Sequence, residues 1–178
     1  MKPKPLPADV LRRVIKVAKV NGMVFVFPVS CLCALVALVM GDLLSVFFGL
    51  CVAAAGWSEW QGAKLLQRGE ARGINWLVRS QVYLMGLILL YALTQMAKYD
   101  ADYEQSLVSP EMNQLLQQAG TSSQEILPLV RMAFYGMYGT LAVVTVLYQG
   151  GLALFYRRRA ETVRNALAES ARPEAEKT

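Results

Sequence analysis

Four long apolar stretches, each closed off by a charged or glycine-containing connection, constrain this chain more than any other feature. They lie at about residues 22–40, 43–60, 76–97 and 129–156. An α-helix rises ~1.5 Å per residue, so about 20 apolar residues cross a hydrocarbon core ~30 Å thick. The expected fold is therefore all-α, an integral membrane bundle of four transmembrane helices. A content of 55% hydrophobic against 17% charged residues agrees, because it falls outside the balance of an ordinary soluble domain. The second stretch is the shortest, and the count of four depends most on it.

The connections set the expected orientation. Residues 1–21 carry Lys2, Lys4, Arg12, Arg13, Lys16 and Lys19. The connection 58–75 carries Lys64, Arg68 and Arg72, with Arg79 just beyond, and the tail 157–178 opens with Arg157, Arg158 and Arg159. Between them, the Gly41-Asp42 turn has no Lys or Arg, and the loop 98–127 is mainly acidic. Basic connections stay on the cytoplasmic side. Both termini are thus expected to be cytoplasmic, and a bacterial-type inner membrane is the expected location. The net charge of +5 flanks the apolar runs instead of lining a soluble face, which points to anionic lipid headgroups and away from nucleic acid.

Within this frame, residues 1–21 read as a basic amphipathic segment. Leu11, Val14, Ile15 and Ala18 share one helical face, opposite Arg12, Arg13, Lys16 and Lys19. It is expected to lie in the headgroup layer, with continuation into the first span as the alternative, and these four cations and Arg157, Arg158 and Arg159 are expected to contact lipid. The connection 58–75 contains Gly62, Gly69 and Gly73 and reads as helix, turn at Gly69, and helix again. The loop 98–127 is expected to hold a short extracytoplasmic helix between Pro110 and Gly120, and 157–178 is a charged cytoplasmic tail.

Side-chain chemistry narrows function mainly by exclusion. The chain has no histidine, which removes His ligation of haem and Ser-His catalysis within it. Asp42, Glu59, Arg79 and Arg131 are placed near span ends, where water and headgroups solvate them, with Glu59 positioned to pair with Arg79 or Lys64. Asp100, Asp102 and Glu104 read as a solvated acidic loop before a divalent-cation site. Cys31, Cys33 and Cys51 lie in apolar runs and read as small packing residues. No catalytic residue, cofactor or metal is expected, and the chain is expected not to be an enzyme.

Two patterns remain. Tyr135, Tyr138, Ala142, Thr145 and Gln149 form one polar stripe on the last span, and Ser80, Tyr83, Leu87, Tyr91 and Thr94 form another on the third. Such stripes either pack helices together or line a cavity. The segment 56–81, with Trp57, Glu59, Trp60, Lys64, Arg68, Trp76 and Arg79, reads as an interfacial hairpin able to dock a partner. The expected role is a non-enzymatic accessory or assembly component of a membrane complex, partnered by lipid, another membrane protein or copies of itself. The alternative is a small transporter or oligomeric channel for a weakly polar solute.

Overall fold

A computed structural model describes residues 7–99, 114, 118 and 123–170. The described residues are helical throughout, apart from their turns: α1 spans Pro7–Lys19, a π-helical segment spans Val20–Val26, α2 spans Phe27–Val39, α3 Leu43–Gln67, α4 Arg72–Ala97 and α5 Ser123–Ser170. Four helices are long and apolar enough to cross a membrane: Ala8–Val39, which takes in α1 and α2, and then α3, α4 and the greater part of α5. The acidic residues Asp100, Asp102 and Glu104 and the short helix expected between 110 and 120 lie outside the described residues, as does the end of the tail.

The amphipathic segment runs on into the first span. Asp9 in the first turn and Lys16 and Lys19 in the last complement the dipole of α1, yet α1 does not stop there. It passes through the π-helical segment, where Phe27 N–H donates to the Gly22 carbonyl five residues back. Pro28 stands in the first turn of α2. It has no N–H to offer the Val24 carbonyl, and the wider turn just before it accommodates the ring.

The turns obey simple backbone rules. Gly41 takes φ 75°, a left-handed conformation open to glycine, and Asp42 then caps α3 by accepting from Ser45 N–H at 3.1 Å. Gly69 takes φ 83° after Arg68, and Glu70 N–H closes the turn on the Leu65 carbonyl at 2.9 Å. The reversal is thus confined to the few residues around Gly69. Helix α3 runs on past Trp57 to Gln67, so the first part of the connection 58–75 is helical up to the turn at Gly69.

The chain forms two compact units, one of Met1–Ile88 with Val146–Thr178 and the other of Leu89–Thr145. The core of the first joins Val14 and Ala18 of α1, Ala63 and Leu66 of α3, Ile74 and Leu77 of α4, and Tyr156, Val163 and Leu167 of α5. Leu11 and Ile15 pack against it. The apolar face of α1 therefore covers protein, which corrects the expectation of a helix laid on the headgroup layer. Burying that face against neighbours removes the same area from water and also fixes where the helix sits.

Glycines set the closest approaches in this unit. A Cβ on Gly49 would meet Ala34 Cβ at 2.8 Å, one on Gly56 would meet the Gly22 carbonyl oxygen at 2.9 Å, and one on Gly73 would meet the Gly62 carbonyl oxygen at 2.7 Å. Gly62 and Gly73, read from sequence as punctuation, are instead contact points within helices. The second unit is built on aromatic rings: Phe134 lies 4.6 Å from Tyr99 and 4.8 Å from Tyr138, and Tyr91 stands edge-on to Tyr138 at 6.1 Å.

Candidate functional site

Glu59 lies inside α3 on the face that meets the π-helical segment, and only 1% of it is exposed. Gly22 and Gly56 place it there. A Cβ on Gly22 would come within 3.1 Å of Glu59 Cβ, so the two helices touch at backbone distance and bring residue 21 beside the carboxylate.

The carboxylate is held at both oxygens. Asn21 Nδ2 donates to Oε2 at 2.6 Å, and the Tyr156 hydroxyl donates to Oε1 at 2.8 Å from α5. Asn21 is fixed in turn, because the Tyr148 hydroxyl donates to its Oδ1 at 2.9 Å. One carboxylate therefore ties together the π-helical segment, α3 and α5. From α4, the buried Gln81 side chain comes near the same carboxylate. Gln149, which follows Tyr148 on α5, is also buried, and its Oε1 is without a hydrogen-bond partner among the described residues.

This arrangement corrects the expected pairing of Glu59 with Lys64 or Arg79 at the membrane surface. The Lys64 ammonium instead sits 3.5 Å over the Trp60 ring, and Arg79 is exposed. Trp57 and Trp60 meet at a tilt of 59° with centroids 4.7 Å apart, and Trp57 also reaches Phe27 at 6.2 Å. Arg68 and Trp76 are exposed. Of the seven residues assigned to a docking hairpin, Glu59 is thus turned inward, while Trp57, Arg68, Trp76 and Arg79 face outward.

The polar stripes divide as well. Thr145 and Gln149 are buried, Tyr138 is half-buried against Tyr91, and Tyr135 and Tyr83 are exposed. Thr94 spends its hydroxyl on the Tyr91 carbonyl at 2.8 Å, and Ser80 does the same with Leu77 at 2.9 Å. Such intrahelical bonds satisfy a hydroxyl in an apolar setting without a partner helix. Among the cations assigned to lipid, Arg12, Arg13, Lys16, Arg157 and Arg158 are exposed and Lys19 is half-buried. Arg159 stacks its guanidinium 3.8 Å from the Phe155 ring, with Nη1 buried.

Neither Asn21 nor Tyr156 stood out in the sequence. Asn21 sits where the amphipathic segment passes into the first span, and a polar residue there is unremarkable. The usable signal was Gly22 beside it, together with Gly56 three residues before an acid inside a predicted span. No protein-family model, curated protein or solved structure matches this chain.

Proposed function

We propose that this chain is a non-enzymatic component of a membrane complex that works by associating with other membrane-embedded helices. In this reading it sits in a bacterial-type inner membrane with both termini cytoplasmic, and its partner is another membrane protein or a second copy. The observation that carries the reading is the surface of α5. Only 11% of its most apolar window is buried, against 22–28% in the other three candidate spans. That surface also holds small residues: Ala133, Gly136 and Thr140 are exposed, and a Cβ on Gly136 or Gly139 would meet nothing within 4 Å. Apolar area alone gives no reason for helices to associate in lipid, whereas small residues let backbones approach and gain dispersion contacts.

Site-directed crosslinking in native membranes tests this. Cysteine at position 136 is expected to give a discrete crosslinked product, and Gly136→Leu to reduce capture at a neighbouring position by about tenfold, roughly 1.4 kcal/mol of association. A chain that stays monomeric, with no crosslink from either position, would overturn the role.

The orientation has its own test. Cysteine introduced at Leu65 is expected to react with an impermeant maleimide only after the cells are opened. Labelling from outside intact cells would reverse the assignment of the basic connections to the cytoplasm.

A further inference from the structure

Where α4 and α5 leave their apolar stretches, one side-chain bond joins them: Arg164 Nη2 donates to Asn75 Oδ1 at 3.1 Å, and both residues are exposed. Helix α4 runs out of the first unit at Ile88 and α5 returns to it at Val146, so the two helices run in opposite directions. On α4, Asn75, Arg79, Val82 and Gly86 recur at steps of four, three and four, which puts them on one face, and all are exposed. On α5, Arg157 shares the face of Arg164, about two turns away, and is exposed as well. At ~1.5 Å per residue, Arg79 stands about 6 Å and Arg157 about 10 Å from the level of the Arg164 bond, both toward the apolar stretches. The two guanidinium groups are thus hung at nearly one height, where the spans end. Neither has a carboxylate partner: the ion pair found among the described residues joins Glu70 to Arg72, and Glu161, about one turn from both Arg157 and Arg164, pairs with neither. Trp76 is 45% exposed beside Asn75, and Val82, 52% exposed, continues the face into the apolar stretch. A Cβ on Gly86 would meet nothing within 4 Å, so this face is open.

We propose that Arg79 and Arg157 hold the phosphate of one anionic phospholipid, with an acyl chain laid along Val82 and Gly86 and with Arg164, braced on Asn75, beside the outer part of the headgroup. Guanidinium groups present paired donors that match phosphate oxygens. Cations placed where an open apolar face begins suit a ligand that is itself charged at one end and apolar at the other, whereas a soluble anion would leave Val82 and Gly86 uncovered. A zwitterionic lipid brings a cation of its own toward the arginines, so a lipid of net negative charge is preferred. The site narrows the lipid contact expected of Arg157 to one place and adds Arg79 and Arg164 to it. It goes beyond the association role proposed above and does not depend on it.

The test uses the full chain in nanodiscs of phosphatidylcholine, to which phosphatidylglycerol or phosphatidylcholine with brominated acyl chains is added at equal mole fraction. Bromine quenches tryptophan on contact, and the signal of Trp76 is the difference between each chain and its Trp76→Phe counterpart. Brominated phosphatidylglycerol is expected to reach Trp76 with about fivefold higher affinity than brominated phosphatidylcholine, the worth of one cation beside an anionic lipid. Arg79→Gln combined with Arg157→Gln is expected to bring that ratio within about twofold of equality. Both side chains are exposed, so the fold is retained. Arg12→Gln combined with Arg13→Gln removes the same charge from the exposed face of α1 and is expected to leave the ratio unchanged. Equal quenching by the two lipids would overturn the site. An equal loss in the α1 variant would overturn it too, by making the preference a property of net charge. Reversal of the quenching by excess glycerol phosphate would also overturn it, and would give the arginines to a soluble phosphate.

Discussion

Gly56→Ala is expected to destabilise the protein by about 2–3 kcal/mol, although alanine is the better helix former. The added methyl would stand 2.9 Å from the Gly22 carbonyl oxygen and 3.0 Å from Phe27 N. Both are backbone atoms, so neither can move aside as a side chain would. Relief requires α3 to retreat from the π-helical segment, which would carry Glu59 away from Asn21. Gly136→Ala is the matched control, because nothing lies within 4 Å of a Cβ there. It should be stabilising by roughly 0.5–1 kcal/mol from reduced backbone freedom. Chemical unfolding of the two variants in the same micelles measures the contrast. Equal effects would mean that the Gly22–Gly56 approach is not a tight contact.

Glu59→Ala is expected to have the largest effect of any single side-chain truncation in the first unit, about 3–5 kcal/mol. Its removal strands the Asn21 amide and the Tyr156 hydroxyl in an apolar interior and leaves a cavity between helices. Tyr156→Phe loses one donor and keeps the ring packed in the core, so it should cost only about 1 kcal/mol. Hydrogen bonds between membrane helices average only about 0.6 kcal/mol in double-mutant cycles, so the difference between the variants arises from the stranded partners, not from the bonds themselves. A combined Asn21→Leu, Glu59→Leu, Tyr156→Phe variant should then recover much of the loss, since the group left without its partner is the hydroxyl of Tyr148, an exposed residue. If Glu59→Ala proves no worse than Tyr156→Phe, the carboxylate is not the hub of this unit.

Hydrophobic run length and turn chemistry carried most of the architecture. The apolar stretches are the candidate spans, Gly41 and Asp42 end one helix and cap the next, and Gly69 makes the reversal before α4. All of these depend on residues within a few positions of one another. The Glu59 network does not, because its partners lie 38 and 97 residues away. Local composition around Glu59, with Trp57 and Trp60 beside it, describes an interfacial belt, and nothing within α3 reveals that Gly56 admits another backbone at that height. The amphipathic pattern of 10–20 was legible, but pattern alone does not distinguish lipid from protein as the surface that covers it.

The π-helical segment has a consequence for phase. If Gly22 faces α3 and the helix continued at ~3.6 residues per turn, positions 29, 33 and 36 would return to the same side. Instead Val29, Cys33 and Val36 are exposed, and Ser30, Ala34 and Ala37, one residue later in each case, are buried. The wider turn thus acts as a one-residue slip in the winding of the first helix. It lets α1 set Val14 and Ala18 into the core while α2 sets Ala34 against Gly49, all along one side of a single continuous rod. Deleting one residue between 20 and 26 would erase the slip, and the two ends of that rod would then compete for its angular setting.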